Sequence, residues 1–302
     1  MYNLKYLQYL SLVRYKSIKK ILKKSNVQAI FDMEDSAQNI FDKNLTVELK
    51  NKCRMGLLEL SKNIDISRHF VRINSPLSEY FNQDLQIIKS LDPQNKPIGI
   101  FLPKIEDYNT VHNFYSQTSL KVIPIIETKK GVINLRKILE NDKDNCIMGV
   151  HYGHFDYCLD ANLWPYPEPY HLDYWEIIIS IAKLCSEFKK IYINTPFPLI
   201  NNYDIFWGAV SKLGDTINGP FYMSLVNLND KFYIYPKKIN KLKLKKISTS
   251  QIFQYNFARK IYLEYKKNFK ANRSFSLTKK RFIPPHQFLS AEQFIKKYEN
   301  KK

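Results

Sequence analysis

Five short stretches each end in a charged side chain of a type that can hold a ligand or move a proton. AIFDM is followed at once by Glu34 and Asp35, and HFVRIN carries Arg72 near its end. GIFLPKIE ends in Pro103, Lys104 and Glu106, VIPIIET ends in Glu127, and CIMGVHYGHFD leads to Asp156. Carboxylates, an arginine and a lysine on one rim could bind a metal ion or an anionic substrate and transfer protons. Each residue also has a plainer reading. Glu34 or Asp35 could cap a following helix, Lys104 with Glu106 could form a surface pair of little worth, and Arg72 could be a structural counter-ion. Together the five favour a site, because charges buried at successive strand ends are costly without a ligand or metal.

The elements that carry these residues alternate. Strands are expected at Leu7–Val13, Ala29–Met33, His69–Ile73, Gly99–Leu102, Val122–Ile126, Cys146–Val150 and Ile191–Asn194, with a poorer eighth near Thr216–Tyr222. Helical patterns separate them at Ile18–Lys24, Leu45–Lys62, Glu79–Leu91, Tyr108–Ser116, Val132–Glu140, Tyr174–Phe188 and Asn202–Leu213. Strand–helix alternation predicts a parallel sheet. Seven or eight units in about 220 residues predict closure into a (β/α)8 TIM barrel over residues 1–230, whose active site gathers at the C-terminal ends of the strands. Periodicity leaves an open doubly wound sheet possible. Beyond it, residues 231–302 read as a C-terminal helical appendage packing on the barrel or a neighbouring subunit. It comprises a short strand at Phe232–Tyr235, the lysine run Lys237–Lys246, a helix at Gln251–Asn268, a loop at Ala271–Lys280 and a last helix at Ser290–Tyr298.

Composition bounds the partners. Hydrophobic residues make up 44% of 302, enough for one large core. The formal charge of +19 could attract a polyanion, but the lysines are spread along the chain and read as a compositional bias. There is no RNP-like, zinc-finger or helix-turn-helix signature, so nucleic acid is not an expected partner. Cys53, Cys146, Cys158 and Cys185 make no CxxC pair, which fits a reducing, cytoplasmic setting. No run is long and apolar enough for a membrane span.

Several motifs resemble the citrate lyase β-subunit/HpcH–HpaI aldolase superfamily. FDMEDSAQ (Phe31–Gln38) is similar to its DLEDA signature, VRIN (Val71–Asn74) to its strand-three arginine motif, and LPKIE (Leu102–Glu106) to LPKVE. IIETKKGVINL (Ile125–Leu135) is similar to IETPxGxxNA, and GVHYGHFDYCLD (Gly149–Asp160) to the family's glycine-to-DxxxxLG segment. NTPFPLINNYD (Asn194–Asp204) and FIPPHQFLSAEQFI (Phe282–Ile295) match more weakly.

The resemblance implies a Mg²⁺ (or Mn²⁺) ion held by Glu127 and Asp156, two carboxylates that leave positions for water and substrate oxygens. It implies a carbon–carbon bond lyase or aldolase acting on a 2-oxo acid, such as pyruvate or oxaloacetate, or on its enolate. Arg72 would donate to the enolate oxygen, Glu34 and Asp35 would serve in proton transfer, and Lys104 would bind the substrate carboxylate. A homo-oligomer, trimer or hexamer, is also implied. The chain departs from the family where coenzyme A members carry RSxLFxPG: here the segment reads LQYLSLVRYKS. GPFYMSLVNL (Gly219–Leu228) stands in place of IHPxQ. A standard acyl-coenzyme A site is therefore not expected, and a free aldehyde or sugar-derived acceptor is. IETPxG has become IETKKG, so Lys129 or Lys130 could bind an extra anionic group or simply face solvent. His151 and His154 could be a third ligand or a proton carrier, or could be structural. The alternative to an enzyme is a barrel of this family that binds a carboxylate or a partner without turnover.

Overall fold

Short apolar runs that are buried on both faces cannot stand alone; here eight of them pair edge to edge. The structure, a computed structural model, describes residues 4–24, 27–226 and 230–300. Strands β1 (Leu4–Ser11), β2 (Gln28–Asp32), β3 (Phe70–Arg72), β4 (Gly99–Leu102), β5 (Val122–Ile126), β6 (Gly149–Tyr152), β7 (Ile191–Asn194) and β8 (Phe221–Leu225) form a closed barrel in sequence order. Every pairing is parallel, and β8 closes on β1. Leu7, Ile30, Phe70, Phe101, Ile123, Ile125, Ile193 and Tyr222 fill the interior. A larger apolar layer, including Phe31, Val71, Leu102, Ile126 and Val150, lies between strands and helices. The predicted (β/α)8 barrel is thus the observed architecture.

The helices are α1 (Tyr15–Lys24), α2 (Lys43–Asn63), α3 (Phe81–Ser90), α4 (Tyr108–Thr118), α5 (Lys129–Glu140), α6 (His154–Asp160), α7 (Leu172–Glu187) and α8 (Tyr203–Gly214). Asp42, Asp107, Thr128 and Asn202 cap α2, α4, α5 and α8, each side chain accepting from a backbone N–H of the first turn. Beyond β8 come α9 (Gln251–Asn268), a two-strand ribbon of β9 (Ser276–Leu277) with β10 (Phe282–Ile283), and α10 (Pro285–Glu299). Helices α9 and α10 share an apolar core of Ala258, Ile261, Tyr265, Ile283, Phe288 and Ala291.

Several boundaries differ from the sequence expectation. The sixth strand lies later than Cys146–Val150, because Asp142 Oδ1 takes the Cys146 N–H at 2.7 Å and uses that stretch as a cap. The eighth begins only after Asn218–Gly219–Pro220, whose turn residues and missing N–H cannot serve a ladder. The strand expected at Phe232–Tyr235 is a 3-10 turn, Asp230–Tyr233, that buries Phe232 against Phe197 and Phe206. Short α6 follows β6 where none was expected. The last helix starts five residues early, with Pro285 in its first turn, where the missing N–H costs nothing. No helix among the described residues is long and apolar enough to cross a membrane.

Candidate active site

The register of β2 and β3 sets Asp32 beside Arg72. Asp32 ends β2, and its carboxylate accepts the N–H groups of Glu34 and Ser36 at 3.0 and 3.1 Å, which fixes the turn that presents Glu34 and Asp35. Arg72 meets the same carboxylate with both prongs of its fork, Nε to Oδ1 and Nη2 to Oδ2, each at 2.7 Å. Its Nη1 donates to Asp35 Oδ2 at 3.0 Å and lies 2.9 Å from Glu34 Oε2. The guanidinium lies over the Tyr9 ring, 4.8 Å from its centroid. Arg72 therefore joins three carboxylates, and the second N–H of Nη2 has no partner among the described residues.

Glu127 is buried just past the end of β5. Its Oε1 accepts the Lys104 backbone N–H at 2.9 Å, and Lys104 holds a left-handed backbone (φ 56°) in doing so. Gly153 faces the other side of the same carboxylate: a Cβ there would lie 2.4 Å from Glu127 Oε2. Asp156 sits in the first turn of α6, its Oδ1 3.1 Å from His286 Nε2 and 3.8 Å from Lys104 Nζ. His286 comes from the start of α10, 130 residues further along the chain. The rim thus gathers Glu34, Asp35, Arg72, Lys104, Glu127 and Asp156 as expected, and adds Asp32, Tyr9 and His286.

The charges on this rim act on one another. Burial pushes Glu127 well above the usual carboxylate range, and the negative charges of Asp156, Glu34 and Asp35 push it further. Burial and the Asp35 charge raise Glu34 to about 8, Arg72 only partly opposing them. Burial would raise Asp35 as well, but Arg72 and His286 hold it below its ordinary value. Two neighbouring carboxyl groups are thereby driven apart, the arrangement that separates an acid from a base. Burial would lower His286, yet the Asp156 carboxylate raises it to about 9. Lys104 is raised by Asp156 and Glu127 against the effect of burial.

The donor set suits a hard divalent cation. Among the described residues no group of three or more His, Cys, Asp or Glu is disposed to hold an ion. A Mg²⁺ needs only one or two carboxylates, the rest of its shell being water and substrate. Glu127 and Asp156 could serve as such a pair, and a cation would relieve the repulsion that raises Glu127.

The remaining candidates take other places. His154 is buried away from the rim, Nε2 2.8 Å from the Pro167 carbonyl, with Cys158 and Tyr152 around its ring. Burial depresses it to about 4, so it is a neutral structural residue. His151 lies inside the barrel, Nε2 3.0 Å from the Tyr9 hydroxyl, and burial together with Arg72 holds it at about 3. It supports Tyr9 beneath Arg72. Glu106 pairs with Lys130 Nζ at 2.9 Å, not with Lys104. Lys50, buried on α2, donates to the carbonyls of Met33 and Glu34 at 3.1 and 2.6 Å and anchors the turn after β2. The Asp at the end of AIFD signalled Asp32. The segment FIPPHQFLSAEQFI held His286, but nothing local tied it to Asp156.

Comparison with known proteins bears on the family and the fold. Residues 5–212 match the family model described as HpcH/HpaI aldolase/citrate lyase. A search of curated protein sequences finds no match. Similar solved structures include protein CitE from Mycobacterium tuberculosis in complex with magnesium and acetoacetate (TM-score 0.58, 16% identity, 74% of this chain and 85% of that one). The citrate lyase β subunit from M. tuberculosis complexed with oxaloacetate and magnesium matches at TM-score 0.56 and 16% identity, over 73% of this chain and 90% of that one. RipC from Yersinia pestis matches at TM-score 0.54 and 16% identity, over 74% and 89%. At such identities the structures attest the fold, while the family model spans more than half of the sequence. The chain belongs to the HpcH/HpaI aldolase/citrate lyase family.

Proposed function

We propose that the protein is a divalent-metal-dependent carbon–carbon lyase or aldolase that acts on a 2-oxo acid or its enolate. The observation that carries this reading is the meeting at one rim of Arg72 with Glu127 and Asp156, carboxylates so placed that Glu127 is held far above its ordinary pKa by burial and by Asp156. Citrate lyase-like proteins of this fold have been crystallised with magnesium and with oxaloacetate or pyruvate, and the same half-substrate suits this rim. Glu127 and Asp156 would hold Mg²⁺ or Mn²⁺, which supplies Lewis-acid stabilisation of an enolate.

The remaining roles fall to the chain's own groups. Arg72 offers its spare Nη2 N–H to the enolate oxygen, its orientation locked by Asp32. Lys104 binds the substrate carboxylate, its ammonium already drawn to that place by Asp156. Glu34, the carboxyl raised to about 8, carries a proton at neutral pH. Asp35 stays ionised and helps to orient Arg72. His286 and Lys104 balance Asp156. In this reading residues 231–302 are an appendage to the 1–230 barrel that completes the rim through His286. A homo-oligomer in the cytoplasm is the corresponding assembly and setting.

Metal-dependent release or capture of pyruvate or oxaloacetate by purified protein tests the reading. Glu127→Ala and Asp156→Ala should abolish it, and full activity in either variant overturns the mechanism. A thermal shift with Mg²⁺ and a 2-oxo acid, but no turnover across a broad panel of aldehydes, would instead mark a carboxylate-binding barrel.

A further inference from the structure

We propose that Arg14 and Arg273 form an anion subsite for the phosphate of a phosphorylated aldehyde, the acceptor half of the reaction. This rests on the reading that Arg72, Glu127 and Asp156 serve the 2-oxo acid half.

A cavity of about 490 Å³ runs from Asp32, Arg72 and Asp156 at the rim to Arg14 and Arg273. Its volume lies within the roughly 300–1,000 Å³ that encloses ligands larger than a three-carbon acid, so a second substrate can share it. Between its ends the walls are largely apolar, with Ile18, Phe155 and Phe282 among them. Arg14 ends the 3-10 turn that follows β1, the place where coenzyme A-using relatives carry their Pro-Gly loop. Arg273 lies between α9 and β9 on a segment that is irregular but pinned. Ser274 Oγ donates to the Asp35 carbonyl, Tyr265 Oη to the Ser274 carbonyl, and Asn39 Nδ2 to the Ala271 carbonyl at 3.0 Å. The arginine is thereby tied to the turn that carries the rim carboxylates.

Neither guanidinium meets a carboxylate among the described residues, whereas Arg54, Arg72, Arg136 and Arg281 each do. Arg273 rests over the Phe275 ring, 5.1 Å from its centroid, and its Nη2 reaches the Asn268 carbonyl at a long 3.3 Å. Its Nε is buried and has no hydrogen-bond partner. Buried donors left unpaired are rare and costly, and two like charges that face one cavity repel. Burial and the Arg14 charge together lower Arg273. One anion answers both defects. A phosphate monoester carries about −1.5 to −2 at neutral pH with three acceptor oxygens, enough for two guanidinium forks. A carboxylate would leave one positive charge unbalanced. The hydroxyl of Ser11 lines the same end and can add a neutral donor. In the addition direction the enolate carbon bonds the aldehyde carbon, the aldehyde oxygen gains a proton, and the phosphate ester is unchanged.

The test is calorimetric titration of the Mg²⁺-loaded protein with inorganic phosphate, and with glyceraldehyde 3-phosphate against glyceraldehyde. Arg14→Gln is the first variant, since its exposed side chain can be lost without harm to the fold; Arg273→Lys, which keeps the charge but not the fork, is the second. Each should weaken phosphate and phosphorylated aldehyde on the order of tenfold to a hundredfold, the loss of a charged hydrogen-bond pair, and glyceraldehyde should bind far less tightly than its phosphate. Unaltered phosphate affinity in Arg14→Gln, or no saturable phosphate binding by the unmodified protein, overturns the subsite. Deuterium exchange from D2O into the pyruvate methyl group, which needs no acceptor, is measured in parallel. If the exchange is absent while phosphate binding depends on the arginines, the enolate reading fails and the anion subsite is upheld.

Discussion

Gly153→Ala is a one-carbon perturbation aimed at Glu127 alone. Gly153 has φ −93°, which any residue adopts, so its backbone does not call for glycine. The space does. An added Cβ would stand 2.4 Å from Glu127 Oε2 and 2.6 Å from Glu127 Cβ, against about 3.4 Å for ordinary contact. The carboxylate oxygen could swing away, but Glu127 Cβ is fixed to the end of β5 and cannot. A carboxylate displaced by about 1 Å loses its bond to the Lys104 N–H and its aim at the shared cation. A misplacement of that size costs about 100-fold in rate, while the overpacking itself costs about 1–3 kcal/mol of stability. The assay pairs Mg²⁺ affinity by calorimetry with metal-dependent pyruvate exchange. Gly219→Ala is the control, since its Cβ would meet nothing nearer than Ser186 Oγ at 3.5 Å. If Gly153→Ala binds Mg²⁺ and turns over within about twofold of the parent, Glu127 does not hold the metal as argued.

Arg72→Gln should remove turnover and also destabilise by about 3–5 kcal/mol, because Asp32, Glu34 and Asp35 lose their common counter-ion. At about 2–4 °C per kcal/mol the melting temperature should fall by roughly 6 °C or more, and an unchanged value would show that the arginine does not hold the cluster. Lys50→Met should cost about 1–3 kcal/mol by stranding the Met33 and Glu34 carbonyls, read by urea unfolding; no loss would mean the turn after β2 is held elsewhere. For metal-free protein, Glu34 is raised from 4.5 to about 8 in the fold, so its contribution to stability is complete below about pH 4.5 and is lost as pH rises through about 8. Melting temperature in EDTA should fall across that window, and the Mg²⁺-induced shift should grow as the carboxylates ionise; a metal-free protein that gains stability from pH 5 to 8 would contradict the assignment. His154→Gln should leave Mg²⁺ affinity intact at a modest cost in stability, whereas a loss of metal binding would return His154 to the ligand set.

The sequence reveals most where chemistry and local pattern coincide. Strands β4, β5 and β7 lie where their apolar runs put them: lysines precede β5 and β7 and polar residues follow them, and Pro103 closes β4. The charged residues at the strand ends were legible for the same reason. A parallel barrel sends every strand the same way, so the residue that follows each apolar run lands on one rim. Boundaries failed where a side chain or a turn took the backbone's hydrogen bonds, as Asp142 does before β6 and Asn218–Gly219–Pro220 does before β8. The roles of His151 and His154 stayed open in the sequence because proximity to Asp156 says nothing about direction. On β6 successive residues face opposite ways, and His151 turns into the barrel while His154, past the strand, turns under α6. Arg72 was legible as a donor, but not as a residue already spoken for by Asp32, since that pairing depends on the register of two strands 40 residues apart.

The balance of charge explains why the last seventy residues belong in any account of the site. Strand ends within the family-matched segment supply Asp32, Glu34, Asp35, Glu127 and Asp156, against Arg72 and Lys104. Arg72 is consumed by the first three. That leaves Lys104, at 3.8 Å, as the barrel's own counter-charge to Asp156, with Glu127 raised beside it. The closer cation is His286, which α10 brings to 3.1 Å from outside the family match. The segment that carries Arg273 is anchored to the same turn through Ser274 and Asp35. The C-terminal residues therefore do more than shield the mouth of the barrel. They provide the positive charge that lets its carboxylates stand together, and they wall the cavity through which an acceptor would reach Arg72.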